Sequence, residues 1–249
     1  MSGPNYGPFA KPEREGPMNP VAIVTAASKG MGAAIARELH ARGYQLALLA
    51  RSDNLQEIAG ETQALAVQGS VTALSDLERL VSQTLDRYGR IDAVVNHTGH
   101  PPKGDLLAIP DADWHAGLDV VLMNVVRMAR LVTPVMEKAS RGAIVNISTF
   151  AAFEPDADFP VSASLRAALG SFTKLYADRY AQVGIRMNNI LPGFIDSLPE
   201  KADRKARIPM GRYGTVDEVA KTTAFLLSDD AAYITGQNIL VDGGLVRGL

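Results

Sequence analysis

The chain has 249 residues, 47% of them hydrophobic and 21% charged, which is apolar material enough for the core of one large α/β domain and too much for a disordered or fibrous chain. Its 25 Lys and Arg against 27 Asp and Glu give a formal charge of −2, so there is no basic excess to hold a phosphate backbone and no nucleic acid partner is expected. Cysteine is absent, which excludes disulfides, thiolate nucleophiles and Cys-ligated metal centres and fits a reducing cytoplasm.

No apolar run reaches the roughly 18 residues a membrane helix needs, and the first residues lack the apolar core of a secretion signal, so no membrane partner is expected. Residues 1–19 are rich in Pro and Gly and read as a flexible arm ahead of a single domain over 20–249. From Val21 short β-branched runs alternate with helical stretches. In order they are VAIVT, a helix over 30–42, QLALLA, a helix over 53–60, ALAVQ, a helix over 75–89, IDAVVN and a helix over 111–138. GAIVNIS, a helix over 161–183, IRMNNIL, a helix over 215–228 and NILV complete the series. Continuously apolar strands are buried on both faces, which requires a parallel sheet with helices on each side. The pattern predicts an α/β, Rossmann-type, doubly wound sheet of about seven strands in one domain. Ser75 with Glu78, and Thr215 with Glu218, have the spacing of capping boxes that start helices.

The first strand runs into Thr25-Ala26-Ala27-Ser28-Lys29-Gly30-Met31-Gly32 and then a helix. Glycines at such a turn let backbone approach a pyrophosphate, and the helix N-terminus offers it free N–H groups and positive dipole. The second strand ends at Arg51-Ser52. A carboxylate there would bind the ribose 2′-hydroxyl of NAD, whereas an Arg beside a hydroxyl can hold a 2′-phosphate, so NADP(H) is the expected cofactor.

These motifs resemble those of the short-chain dehydrogenase/reductase family, and the likeness runs from about Met18 to the C-terminus. The turn is similar to the family's Thr-Gly-x-x-x-Gly-x-Gly, with Ala26 at the first Gly, and Asn96-His97-Thr98-Gly99 is similar to Asn-Asn-Ala-Gly. Pro192-Gly193 with Ile195 and Ser197 resembles the segment that touches the nicotinamide. The C-terminal third, from Pro209-Met210-Gly211-Arg212 to Val241-Asp242-Gly243-Gly244, is also close to the family pattern. The resemblance implies cofactor contacts from Thr25, Ser28, Lys29, Gly30, Met31, Gly32, Arg51, Ser52, Asn96, Thr98, Gly99, Arg166, Pro192, Gly193, Ile195 and Ser197. It further implies a small-molecule substrate and a homo-oligomer, with a homotetramer first, through the long helices 111–138 and 161–183.

The same alignment departs from the family at its catalytic tetrad. Ser162 stands where the catalytic Tyr belongs, Arg166 at the Lys, Thr149 at the Ser and Val121 at the supporting Asn. A positioned phenol is worth about 10²–10⁴ in rate, and an aliphatic hydroxyl is a far weaker acid. Arg166 stays charged and can bond ribose hydroxyls, but its planar fork does not replace an ammonium. Thr149 can still polarise a carbonyl oxygen, while Val121 cannot anchor a relay water. Thr149, Ser162 and Arg166 are therefore the candidate catalytic residues of a non-standard NADP(H)-dependent reductase acting on an activated C=O, C=N or C=C bond. The alternative is a nucleotide-binding protein without turnover. Ser162-Ala163-Ser164-Leu165-Arg166 is also similar to the Ser-Ala-Ser-x-Lys of the dienoyl-CoA reductases, a branch without Tyr at this place.

The acidic loop Glu154–Pro160 reads as solvated, with a replacement acid or a carboxylate that attracts a cationic substrate as the sharper alternatives. His97 and His100 lie just past the fourth strand, where one could approach the cofactor; His97 otherwise reads as a packing residue and His100 as exposed. The run Leu198–Ile208, where the family carries its substrate lid, is mixed in charge with four basic residues. No metal-ligand cluster emerges.

Overall fold

In a computed structural model, which describes residues 19–248, the apolar runs form the strands β1 (Val21–Thr25), β2 (Gln45–Ala50), β3 (Leu65–Gln68) and β4 (Ala93–Asn96). They are followed by β5 (Gly142–Ile147), β6 (Ile185–Pro192) and β7 (Asn238–Val241). All pair in parallel in one seven-stranded sheet of order β3-β2-β1-β4-β5-β6-β7, a Rossmann-like α/β domain. The arm expected over 1–19 lies, except for its last residue, outside the described residues.

The helices are α1 (Gly30–Ala41), α2 (Leu55–Thr62), α3 (Leu74–Tyr88), α4 (Asp111–Leu118), α5 (Asn124–Ala139), α6 (Pro160–Tyr180), α7 (Ala202–Lys205) and α8 (Val216–Leu227). Alternate side chains of each strand feed two cores. In β1, Ala22 and Val24 pack with Ile35 and Leu39 of α1 and Leu226 of α8, while Ile23 packs with Leu80 of α3, Val132 of α5 and Tyr176 of α6. Burial on both faces is the reason these strands are continuously apolar.

Two expectations change. The helix expected over 111–138 is broken by a π-helical turn, Asp119–Met123, and there the Nδ2 of Asn124 donates to the Val120 carbonyl at 2.6 Å. A widened turn leaves carbonyls without their regular partners, and a short amide side chain can bond one of them. Helix α3 starts at Leu74 after an extended Ala73, so Ser75 does not cap it. Asp76 organises that entrance instead, accepting the Ser70 N–H at 2.8 Å and pairing with Arg79 at 2.8 Å. The box at Thr215 forms as expected, with reciprocal bonds to Glu218 of 3.1 and 2.8 Å.

The chain winds outward from β1 to β3 and returns to β4 on the other side of β1, which makes the β1/β4 boundary the switch point where such sheets open a crevice. Just below that edge a ladder of amides ties four strands. Asn96 donates to Asn146 at 2.8 Å, Asn146 to Asn189 at 2.8 Å and Asn189 to Asn238 at 2.7 Å, each pair level in the strand register. Thr173 of α6 also donates to Asn189, at 2.9 Å. A satisfied buried network of this kind fixes one register and so one alignment of the strand ends that carry the site.

Candidate cofactor and active site

The turn after β1 is shaped by close backbone contact. Ala26 has φ +49° and Gly30 φ +53°. A Cβ on Gly32 would lie 2.2 Å from the carbonyl oxygen of Ala26, so only glycine lets α1 start this near the turn. Lys29, extended before the first turn of α1, makes no side-chain cap bond, which leaves the helix N-terminus free for an anion. Ser197 comes to the same place from beyond β6, its Cβ 3.4 Å from where a side chain on Gly30 would begin. Arg51 and Ser52 are exposed at the end of β2, and among the described residues the Arg51 guanidinium makes no hydrogen bond or ion pair. Gln68 braces the loop, donating to the Arg51 carbonyl at 3.1 Å and to Asp53 at 2.9 Å. An uncapped helix start, a glycine cradle and an unpaired cation one strand away fit a phosphorylated dinucleotide.

Not every expected contact faces the crevice. Thr25 is buried, its hydroxyl donating to the His97 carbonyl at 2.7 Å and accepting the His97 N–H at 2.9 Å, so it stitches β1 to the end of β4. The Asn96 side chain is spent in the amide ladder. Ser28, Met31 and Thr98 are half-buried and Gly99 is exposed. Gly193 follows the buried Pro192, and a Cβ on it would stand 2.9 Å from the Asp242 Cα, which is why the backbone of β6 can leave the sheet beside β7. Ile195 is buried beyond it.

At the end of β5 the catalytic candidates converge. Arg166 of α6 is 7% exposed and donates from NH1 to the Ile147 carbonyl at 2.6 Å and from Nε to the Ser162 Oγ at 3.3 Å. Burial lowers its pKa to about 10, still charged at neutral pH, and no carboxylate among the described residues pairs with it. Thr149 is half-buried two residues beyond Ile147, and Ser148 Oγ is buried without a hydrogen-bond partner among the described residues. Val121 is buried within the π-helical turn. Gly117, one turn earlier, lets α4 approach α6: a Cβ there would lie 2.3 Å from Val161, next to Ser162. His97 Nδ1 is a second orphan of the crevice. Burial chiefly, then the charges of Arg166 and His100, pushes this imidazole down to about 4.

The acidic loop and the basic lid hold each other. Asp156 pairs with Arg207 at 3.1 Å and Asp158 with Arg204 at 3.2 Å, while Glu154 accepts the backbone N–H of Arg247 at 2.9 Å. Arg204 also lies over the rings of Phe159 and Phe194, 5.5 and 5.1 Å from their centroids. Lys103 also lies over Phe159, 4.7 Å from its centroid. The loop is largely exposed, as expected, but its carboxylates also pair with the 204–207 segment, a pairing across some fifty residues of sequence that composition does not reveal. Tyr213 stacks on Phe194 at 5.6 Å, but its hydroxyl accepts the Lys201 N–H at 3.1 Å and makes no hydrogen bond to Ser162 or Arg166.

The structure therefore gathers Ser162, Arg166 and Thr149 at one end of β5 and sets the cradle, Arg51 and Ser197 along the same sheet edge. Ser148 carries no sequence signal, and for His97 the sequence offers an approach to the cofactor only as the lesser alternative to packing, since the isolation of both is visible only once the strand ends are aligned. Among the described residues no cluster of three His, Cys, Asp or Glu side chains has metal-ligand geometry, and no helix is long and apolar enough to cross a membrane.

Comparison with known proteins agrees with this geometry. A family model described as Enoyl-(Acyl carrier protein) reductase matches residues 25–246. A 3-oxoacyl-[acyl-carrier-protein] reductase of Thermotoga maritima is 34% identical over 239 residues, 91% of this chain and 97% of its own length. One of Synechocystis is 36% identical over 91% of this chain and 96% of its own length, and one of Escherichia coli 32% identical over 90% and 96%.

Proposed function

The chain belongs to the short-chain dehydrogenase/reductase family, and from that premise we propose that it is an NADP(H)-dependent reductase in which hydride transfer is kept and the proton donor has changed. The observation that carries this reading is the bond from Arg166 to Ser162 Oγ at the floor of the crevice, a guanidinium and an aliphatic hydroxyl where the family has an ammonium and a phenol. When bound, the reduced nicotinamide supplies hydride to an electrophilic carbon.

In this reading the N-terminus of α1, with Ser28, Lys29, Gly30, Met31 and Gly32, receives the diphosphate, and Arg51 with Ser52 receives the 2′-phosphate. Arg166 donates to ribose hydroxyls, and Asn96, Thr98, Gly99, Pro192, Gly193, Ile195 and Ser197 line the nicotinamide end, with Thr25 beneath them. Thr149 points its hydroxyl chemistry at the substrate oxygen, and Ser162 has a lesser polar role. Activated electrophiles suit a site with a weakened acid, because an iminium ion needs no proton after hydride and a conjugated thioester gives a stabilised enolate. The names of the relatives put oxoacyl and enoyl thioesters first among them.

Exposed Leu118 on α4 and Leu175 on α6 support a homo-oligomer through those helices, a homotetramer first, and a cytoplasmic location completes the reading. The test is parallel fluorescence titration with NADPH and NADH, then NADPH oxidation over ketones, enoyl thioesters and cyclic imines. NADPH should bind more tightly than NADH, and Arg51→Ala should weaken NADPH alone, by about 10–100-fold. Tight binding with no oxidation of any electrophile would instead establish a nucleotide-binding protein without turnover.

A further inference from the structure

His97 follows Asn96, which is level with Asn146 of β5, so it sits level with Ile147, whose carbonyl accepts the Arg166 bond. Its backbone is fixed on both sides by the Thr25 hydroxyl. The imidazole lies within reach of the Arg166 and His100 charges, yet Nδ1 is sealed from water without a hydrogen-bond partner among the described residues. Ser148 Oγ, level with the next position, is orphaned in the same way. Buried polar groups are rarely left unpaired, and two at neighbouring strand ends, one of them within the field of an unneutralised guanidinium, mark a place built to receive a polar ligand atom.

Building on the reductase reading, we propose that His97 is a catalytic residue, the group that exchanges the proton with the substrate oxygen where the family uses a phenol, while Arg166 stabilises negative charge on that oxygen. As the substrate carbon gains hydride, the C=O electron pair moves onto oxygen. The N–H bond of protonated His97 then breaks and its proton joins that oxygen. The substrate is reduced, the dinucleotide oxidised, and the neutral imidazole is reprotonated from solvent past the exposed His100. The charged or titratable groups acting on the ring are Arg166 from α6 and His100 from its own loop, and with burial they keep it neutral at pH 7 in the free protein. A neutral ring suits the reverse reaction, taking the proton of an alcohol, so reduction should slow as pH rises and oxidation should not.

The experiment compares the full-length chain with His97→Gln and His97→Asn. Histidine-labelled protein is titrated by NMR with and without saturating NADPH, and reduction of the best electrophile from the screen is followed between pH 5 and 8. The His97 signal should move on NADPH addition. Wild-type kcat/KM for reduction should fall about tenfold per pH unit above the imidazole midpoint. Both variants should lose about 10²-fold or more and show a flattened profile, with their melting temperature and NADPH affinity nearly unchanged. A His97 signal indifferent to NADPH, or variants with wild-type rate and pH slope, would overturn the proton role and leave the reductase reading standing. NADPH binding without turnover by the wild type would overturn both.

Discussion

A side-chain carbon on Gly32 would stand 2.2 Å from the carbonyl oxygen of Ala26, so the start of α1 touches the turn it leaves backbone to backbone. Any Cβ at this position must push the helix away from the turn. Gly32→Ala is expected to destabilise the fold by about 1–3 kcal/mol, read in a urea melt, and to weaken NADPH binding at least as much as it weakens the fold. Full NADPH affinity in this variant would show that the turn is not the diphosphate cradle.

Ala26 itself lies at φ +49°, a left-handed conformation that suits glycine and strains an alanine by about 1–2 kcal/mol. Ala26→Gly should therefore raise stability by about 1 kcal/mol, after allowance for the freer unfolded chain. Thermal melting of the two proteins checks it, and a lower melting point for the variant would mean that the methyl contributes packing that outweighs the strain.

The sheet was legible because buried parallel strands must be apolar along their whole length, as VAIVT and QLALLA are. The glycine turn after β1 was legible because its glycine requirement is local, spanning Gly30 to Gly32. Three things were not. The π-helical turn at Asp119–Met123 has an apolar periodicity close to that of an α-helix, so the sequence reads straight through it. The Asp156–Arg207 pair and the four-asparagine ladder join residues far apart in the chain. The isolation of His97 Nδ1 is a property of what fails to reach it, which no motif encodes.

Restoring the acid tests the reading of the catalytic positions from the opposite direction. Ser162→Tyr with Arg166→Lys should create or raise ketone reductase activity by about 10²-fold, the lower end of what a positioned acid supplies. Arg166 alone changed to Lys should lose the fork that spans Ile147 and Ser162 and give no such gain. A double variant that binds NADPH normally with unchanged ketone reduction would show that the phenol is not what this site lacks.

The clasp between the 204–207 segment and the acidic loop pairs one exposed with one half-buried partner in each ion pair. The Asp158 side chain is 67% exposed and its Arg204 19%, so the pair is worth about 1 kcal/mol or less in water. The stacking of Arg204 on Phe159 and Phe194 adds a comparable amount. Asp156→Asn with Asp158→Asn is expected to speed amide hydrogen exchange over residues 201–208 several-fold while leaving the melting temperature within about 2 °C. Raising salt to 1 M, where charges are screened beyond about 3 Å, should speed the wild type and barely alter the variant. Equal salt effects on both would assign the closure to the aromatic contacts alone.

Glu218 sets a pH signature on α8. The Arg212 guanidinium first, then the Thr215 backbone N–H, holds its carboxyl down at about 2, against an ordinary value of about 4.3 in the unfolded chain. A depressed carboxyl contributes stability that is complete above the unfolded value and is lost as pH falls toward the folded one. The side chain is 42% exposed, so solvent screening keeps the contribution near that of an ordinary helix cap, about 1 kcal/mol. Urea melts of Glu218→Ala should therefore fall about 1 kcal/mol below wild type at pH 7 and at pH 5.5. The gap should narrow steadily between pH 4.5 and pH 3, because protonation removes from the wild type what the substitution has already removed from the variant. A gap that stays constant to pH 3 would mean that the Thr215 hydroxyl, which still caps the Glu218 N–H, carries the helix start without the carboxylate.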